Sequence, residues 1–219
     1  MPHRYYYAGS LDKGSIIDLD KEERRHIKQV MRTKDQEIIE IINGNGDLAQ
    51  ASFGDKIIVE SCKHESKCPL AKALALALTE PRNLELVIEK GTELGIDTFY
   101  IFPSAKSKLK NLSPTKRERI HKILISAIKQ SKRLYLPTVH YLSKMEELPT
   151  GNYLLADFDG KPYEKVLTSA TFIIGPESGF TSNEITFFTQ HLSATSVLLS
   201  KHVLRTETAA IAAATLLFM

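Results

Sequence analysis

Two short turns in the last fifth of the chain carry residue types suited to holding a ligand. The first, residues 175–180 (GPESGF), follows the apolar run 171–174 (TFII). The second, residues 200–209 (SKHVLRTETA), follows the apolar run 196–199 (SVLL). Each apolar run has the pattern of a buried strand, and each turn leads into a helix-like segment. Ligands of open α/β sheets bind in the crevice outside the carboxyl ends of the strands. The two turns therefore predict a binding site.

The residue types within the turns indicate what such a site does. Gly175 and Gly179 permit a close approach of the backbone to a ligand. In the second turn a cation, Arg205, comes shortly before the carboxylate of Glu207, at the start of an otherwise apolar helix. A glycine-bearing turn alone is as often a ligand-free connection, and one arginine alone is as often an ion-pair or helix-cap partner. The complete string favours a functional site.

The elements that must position these turns alternate between strand and helix. Strands are predicted at residues 71–79, 99–102, 153–156, 171–174 and 195–199, and helices after Pro81, at 114–131, from Thr181 and at 206–217. The strand predicted at 71–79 contains ALALAL at residues 73–78, which is apolar on both faces of a strand and typical of a buried parallel strand. The alternation predicts an α/β domain with a parallel sheet.

The first sixty residues have a different pattern. Short strands are predicted at 5–7, 15–18, 37–42, 48–51 and 57–62, with one helix at 20–31. Gly-Asn-Gly-Asp at 44–47 and Gly-Asp at 54–55 suit tight hairpin turns. Several short strands in so few residues favour a small barrel, an architecture that often binds oligonucleotides. The polar stretch 64–69 is the best domain boundary.

Composition excludes several classes of protein. The net charge is only +3, from 29 Lys and Arg against 26 Asp and Glu, although basic residues cluster between 106 and 133. Cys62 and Cys68 are the two cysteines, without a CxxC motif, so neither a disulfide scaffold nor a metal site is expected. No long apolar span or signal-peptide pattern occurs. The expectation is a cytoplasmic protein without a metal or a membrane segment.

Several motifs together resemble one known family. Residues 174–181 (IGPESGFT) and 204–209 (LRTETA) are similar to signatures of the RsmE-type ribosomal RNA uridine-N3 methyltransferases of the SPOUT superfamily. Residues 24–32 (RRHIKQVMR), 89–96 (EKGTELGI) and 130–137 (QSKRLYLP) resemble further motifs of that family, in the same order. The chain departs from the family pattern at Ser178 and Ser200, where glycine is usual, and at His202, where arginine is common.

The resemblance implies a fold and a reaction. It implies a PUA-like β-barrel over residues 1–66 and a SPOUT-type domain with a deep trefoil knot over residues 67–219, acting as a homodimer. It also implies transfer of a methyl group from S-adenosylmethionine to N3 of a uridine in 16S ribosomal RNA, either as free RNA or in the small ribosomal subunit. The overall fold class is therefore expected to be α/β.

The implied reaction, the residue types and, for the cofactor, the resemblance suggest roles for individual residues. Arg205 would stabilise the anion that develops on the base, and Glu207 would orient Arg205. The cofactor would be held mainly by backbone groups at Leu155, Gly175, Glu177, Gly179, Leu199, Ser200 and Leu204. RNA would be bound by Arg4, Arg24, Arg25, Arg32 and Arg133. The residues offer no clear proton acceptor, with His202 a weak candidate.

Three alternatives remain open at this point. A SPOUT enzyme that methylates the ribose 2′-hydroxyl would share the same cofactor turns. A ribosome assembly factor that binds RNA without cofactor would explain Ser178 and Ser200. A nicotinamide-dependent Rossmann enzyme is disfavoured, because residues 79–82 (TEPR) replace the GxGxxG motif after the first strand of the α/β domain.

Overall fold

The computed structural model of the protein describes residues 4–19 and 21–219. Within them the chain divides into two compact units. The first unit ends at Lys67 and also includes Ile128–Leu136, whereas the second comprises Cys68–Ala127 and Pro137–Met219. Sequence reasoning placed a boundary near residue 66 but did not anticipate that residues 128–136 group with the first unit.

The first unit is built on a five-stranded sheet with the order β1-β3-β4-β5-β2. Its strands are β1 (Arg4–Tyr6), β2 (Ile16–Ile17), β3 (Ile38–Ile42), β4 (Asp47–Ser52) and β5 (Ile57–His64). β3, β4 and β5 pair antiparallel through two hairpins, and β1 pairs parallel with β3. Gly44 and Gly46 adopt positive φ in the first hairpin, which is why this turn carries glycine. All five predicted strands are confirmed.

The core of this unit explains the strand pattern. Tyr5, Ile41, Ala49 and Ile57 are almost completely buried and pack in one cluster with Ile27. Ile27 belongs to the predicted helix, which here is a short helix α1 (Lys21–Arg25) followed by a π-helical turn (His26–Val30). The helix predicted at residues 20–31 is therefore confirmed over 21–30, and residue 20 lies outside the described residues.

The second unit contains a six-stranded sheet with the order β11-β9-β10-β6-β7-β8, and all its pairings are parallel. The strands are β6 (Lys72–Ala77), β7 (Thr98–Phe102), β8 (Thr138–Tyr141), β9 (Tyr153–Pro162), β10 (Ala170–Ile174) and β11 (Thr195–Leu198). Every residue of β6 is buried, as expected for a central strand. β8 was not predicted; it is a short edge strand whose alternate residues are exposed.

Three α-helices connect these strands, α2 (Pro81–Leu94), α3 (Pro114–Ser131) and α4 (Ser182–Thr186), and α5 (Thr206–Leu216) follows the last strand. α2 ends at Gly95 with φ 110°, a left-handed conformation that glycine adopts at low cost. At the start of α3, Ser113 Oγ accepts a hydrogen bond from the Lys116 amide at 3.4 Å. None of the described helices combines the length and the apolar character needed to cross a membrane.

The strand order explains where the sheet forms a crevice. The chain builds the sheet from β6 outward to β8, then returns to β9 and β10 on the other side of β6, and finally adds β11 beyond β9. Connections that reverse direction in this way create a crevice at the carboxyl ends of the strands. The α/β fold with a parallel sheet is confirmed. The trefoil knot stays a prediction, because strand order and pairing do not define how the chain threads through itself.

Candidate cofactor cleft

A cleft of about 350 Å³ lies at the carboxyl ends of β10 and β11 and beside the middle of β9. Three segments and two further residues line it. The segments are residues 155–158 of β9, residues 174–180 except Ser178 around the turn after β10, and residues 198–206 except Lys201 and Arg205 around the turn after β11. Ile185 and Ala209, from the helices that follow the two turns, complete the lining. Apolar side chains predominate in this lining. The two turns singled out from the sequence therefore line one cavity.

The turn after β10 needs glycine for two different reasons. A side chain at Gly175 would lie 3.3 Å from the Phe180 ring, so the space beside this residue is restricted. Gly179 has φ 67° and donates from its amide to the Pro176 carbonyl at 2.8 Å. That left-handed conformation is costly for residues with a Cβ. Ser178, the departure from the family pattern, does not have positive φ and is exposed, so serine fits there without strain.

Glu177 fastens this turn to the end of β6. Its Oε1 accepts a hydrogen bond from Thr79 Oγ1 and another from the Glu80 amide at 3.2 Å. Partial burial disfavours the ionised carboxyl, but the hydrogen bond from Thr79, those from backbone amides and the charge of Lys108 together lower the pKa of Glu177. The side chain of Glu177 therefore holds the turn in place through Thr79 and Glu80, and the same residue lines the cleft.

The loop after β7 supports the same turn. Lys106 Nζ donates to the carbonyls of Ser178 and Phe180 at 3.2 and 3.3 Å. The Ala105 amide donates to Glu184 Oε1 at 2.7 Å. Burial opposes ionisation of Glu184, yet hydrogen bonds from the backbone of Thr181 and Ala105 lower its pKa. Thr181 and Glu184 form the capping box that the sequence predicted at the start of α4.

We expect Glu177→Gln to weaken this support and to lower the melting temperature at neutral pH. Because the folded-state pKa of Glu177 is lowered, its stabilising contribution is present above the unfolded-state pKa and is lost as pH falls through the folded-state pKa. The difference in melting temperature between wild type and Glu177→Gln should therefore shrink on acidification. Thermal melts over a pH series measure it, and a difference that grows towards acid pH would contradict this role.

The turn after β11 begins with a local hydrogen bond and ends with the exposed Arg205. Ser200 Oγ accepts a hydrogen bond from the His202 amide at 3.1 Å, which stabilises the start of the turn. Arg205 directly precedes α5 and is exposed; its neighbours Leu204 and Thr206 line the cleft. Within residues 4–19 and 21–219, Arg205 forms no ion pair with Glu177 or Glu207. The ion-pair alternative for Arg205 therefore finds no support.

A bulge in β9 forms the third wall of the cleft and was missed by the sequence analysis. Leu155 pairs with Ser196, but Val197, the next residue of β11, pairs with Lys161. The intervening residues of β9 therefore bulge out of the ladder. At Gly160 a Cβ would lie 2.5 Å from the Val197 amide nitrogen, so only glycine lets the two strands close again. The Asp-Gly pair at 159–160 was the available signal, since glycine in a strand marks bulges and close approaches.

The structure brings the predicted cofactor residues together. Those lining the cleft are Leu155, Gly175, Glu177, Gly179, Leu199, Ser200 and Leu204. The two residues predicted to be catalytic, Arg205 and Glu207, do not line it but belong to the segment at its edge. Their chemical roles stay predictions, because position alone does not assign them.

The five arginines predicted to bind RNA all belong to the first unit, but they differ in availability. Arg4 Nε pairs with Glu40 Oε2 at 2.6 Å and its side chain is only 12% exposed. Arg24 donates to the carbonyls of Gly54 and Asp55. Arg25 and Arg32 are exposed, and Arg133 is half-buried. Arg25 and Arg32 are thus the better placed to meet a phosphate, whereas Arg4 serves the fold of this unit.

Other reactive groups are sparse. Among the described residues, no group of three or more His, Cys, Asp or Glu side chains is arranged to hold a metal ion. Cys62 and Cys68 are both exposed and free. The chemistry that the described cleft offers is therefore that of backbone groups, apolar walls, two carboxylates and His202.

Comparison with known proteins identifies the family. The model of the RNA methyltransferase domain matches residues 66–218, and that of the RNA methyltransferase PUA domain matches residues 19–59. Ribosomal RNA small subunit methyltransferase E of Rickettsia conorii is 30% identical, covering 96% of this chain and 93% of that protein. The protein of the same name from Bacillus subtilis is 28% identical, covering 91% of this chain and 88% of that protein.

A solved structure agrees in fold. A methyltransferase from Legionella pneumophila, solved with bound S-adenosylmethionine, is 25% identical, and the match covers 99% of this chain and 97% of that chain with a TM-score of 0.87. The match extends over both units and over the strands that form the cleft. Together with the domain matches, it shows that this chain belongs to the RNA methyltransferase family that includes ribosomal RNA small subunit methyltransferase E.

Proposed function

We propose that this protein transfers a methyl group from S-adenosylmethionine to N3 of a uridine in 16S ribosomal RNA. One observation carries the proposal: the cofactor residues predicted from the sequence line one cleft, formed by the middle of β9 and the turns after β10 and β11. The names of the Rickettsia and Bacillus relatives support the ribosomal RNA substrate. The bound cofactor of the Legionella methyltransferase supports S-adenosylmethionine.

The residues of the cleft fit that cofactor. Its volume of about 350 Å³ lies within the range of pockets for small molecules. Leu155, Leu199 and Leu204 offer apolar walls, and Gly175 and Gly179 leave backbone groups accessible. Backbone amides and carbonyls of the two turns would hold the polar ends of the cofactor. When bound, the cofactor supplies an electrophilic methyl group on its sulfonium, so the protein contributes position and electrostatics.

Arg205 is proposed to act on the substrate base. Uracil N3 is a poor nucleophile while it carries its proton, so the reaction needs stabilisation of the developing anion. A guanidinium is permanently charged and donates hydrogen bonds in a fixed geometry. The exposure of Arg205 beside the cleft leaves it available to a base that approaches from solvent. Glu207, two residues later, would orient it.

RNA binding is proposed to involve the PUA-like region, residues 1–66, while residues 67–219 carry catalysis. Arg25 and Arg32 would contact phosphates directly, and Arg24 and Arg133 would complete the surface. Such contacts make affinity fall steeply with salt concentration. The target uridine would have to be unpaired or flipped out to reach the cleft. Arg4 would act indirectly, by holding β1 against β3 through Glu40.

The proposal includes a homodimer that acts in the cytoplasm. Val203 lines the cleft and is 87% exposed, and Phe218 and Met219 are exposed after the end of α5. Burial of these apolar side chains against a second copy would be favourable. Sedimentation analysis of the purified protein tests this part.

The deciding experiment maps modified nucleotides by mass spectrometry in 16S ribosomal RNA from cells with and without the gene. Loss of one N3-methyluridine, restored by the purified protein with S-adenosylmethionine, is the expected result. Loss of a ribose 2′-O-methyl group would instead favour the other SPOUT specificity. Undetectable cofactor binding in calorimetry, with unchanged RNA modification, would favour a non-catalytic assembly factor. Assaying free 16S RNA beside assembled small subunits would identify the substrate form.

A further inference from the structure

The bulge of β9 places a carboxylate in the wall of the cofactor cleft. Asp157 lines the cleft. Its Oδ2 accepts a hydrogen bond from Ser196 Oγ at 3.1 Å, and its Oδ1 accepts one from the Asp159 amide at 3.3 Å. Both contacts keep the carboxylate within the bulge. Neither the sequence motifs nor the proposed function uses this side chain.

Asp157 differs from the other carboxylate of the described cleft lining in the charges that surround it. The charged or titratable residues there are Asp157, Glu177 and His202. Glu177 accepts hydrogen bonds from Thr79 and the Glu80 amide and also interacts with the positive charge of Lys108. Asp157 is held by one hydroxyl and one amide, neither of which carries a charge. Its negative charge therefore remains available to act on a cation in the cleft.

The proposed cofactor changes charge during the reaction. In the proposed transfer the N3–H bond would lose its proton to solvent, the freed electron pair of N3 would form the N3–CH₃ bond, and the S–CH₃ bond would break with its electron pair staying on sulfur, so that the sulfonium would become a neutral thioether. S-adenosylmethionine and its product S-adenosylhomocysteine thus share their adenosine and amino-acid ends and differ by one methyl group and one positive charge at sulfur. A negative charge fixed in the cleft interacts more favourably with the first than with the second.

We propose that Asp157 makes the cleft discriminate between the cationic cofactor and its neutral product, which favours release of the product and rebinding of fresh cofactor. This inference rests on the proposed function, because it assumes that the cleft binds S-adenosylmethionine. A direct contact is not required. Unit charges in a partly exposed site still interact over a separation of several ångströms.

The experiment measures dissociation constants by calorimetry for three ligands: S-adenosylmethionine, S-adenosylhomocysteine and sinefungin, in which an amine replaces the methylsulfonium. Asp157→Asn should weaken both cationic ligands by roughly 3- to 10-fold, as expected for a screened charge interaction at this range, and should change the neutral thioether less than twofold. Asp159→Asn is the matched control, since Asp159 is an exposed carboxylate two residues away that does not line the cleft. It should leave all three constants near those of wild type.

A second variant separates charge from local structure. Ser196→Ala removes the hydrogen bond to Oδ2 of Asp157 but keeps the carboxylate. The ratio of the dissociation constants for S-adenosylmethionine and S-adenosylhomocysteine should therefore stay near that of wild type. Equal weakening of all three ligands by Asp157→Asn would overturn the inference, because it would show a contact with the shared part of the cofactor. Failure of the wild-type protein to bind S-adenosylmethionine would overturn the proposed function itself.

Discussion

Replacing Arg205 by alanine is expected to lower the rate of methyl transfer by about 10²- to 10³-fold, the usual cost of removing one group that stabilises a developing anion. The dissociation constant for S-adenosylmethionine should change by less than about threefold, because Arg205 does not line the cleft, whereas Leu204 and Thr206 on either side of it do. Single-turnover methylation of 16S RNA and calorimetry with the cofactor alone measure the two quantities.

Two variants serve as controls for this prediction. Lys201→Ala removes another exposed cation from the same turn, one that also does not line the cleft, and should lower the rate only a few-fold. Arg205→Lys keeps the charge but loses the planar donor geometry, so it should recover only part of the activity. If Arg205→Ala kept the wild-type rate, or if it lost cofactor binding in parallel with activity, Arg205 would not act on the substrate.

The sequence predicted those features that local patterns determine. The uninterrupted apolar run of β6 indicated a central parallel strand, and the spacing of Thr181 and Glu184 indicated a helix start, because both signals lie within a few neighbouring residues. The glycine-bearing turns indicated a site at strand ends because parallel strands end at one edge. The two turns located the cleft, and the family resemblance added the cofactor residues that line it.

Features that depend on contacts between residues far apart in the chain could not be predicted from the sequence. The hydrogen bonds of Glu177 to Thr79 and of Lys106 to the Ser178 carbonyl join segments more than seventy residues apart. Arg4 was predicted to contact RNA from its charge alone, because a sequence does not show its partner Glu40. The same limit applies to the β9 bulge, since a register shift is a property of two strands together. Asp157 was overlooked for that reason.

Replacing Gly160 by alanine is expected to lower the free energy of unfolding by about 3 kcal/mol, near the upper end of the usual cost of overpacking. The new Cβ would lie 2.5 Å from the Val197 amide nitrogen and 2.7 Å from the Ser196 carbonyl carbon. These are backbone atoms of the paired strand β11, so no side-chain rotation relieves the overlap. The two strands must separate instead, and chemical denaturation measures the loss.

The same substitution should also weaken cofactor binding, because Gly160 closes the bulge that carries residues 156–158 into the cleft wall. Gly151→Ala is the matched control. Gly151 precedes β9, has no positive φ, and its added Cβ would meet only the Tyr153 ring at an ordinary 3.6 Å. That variant should stay within about 0.5 kcal/mol of wild type. Equal stability of the two alanine variants would mean that β9 and β11 are not in close contact at this point, and that the bulge does not shape the cleft.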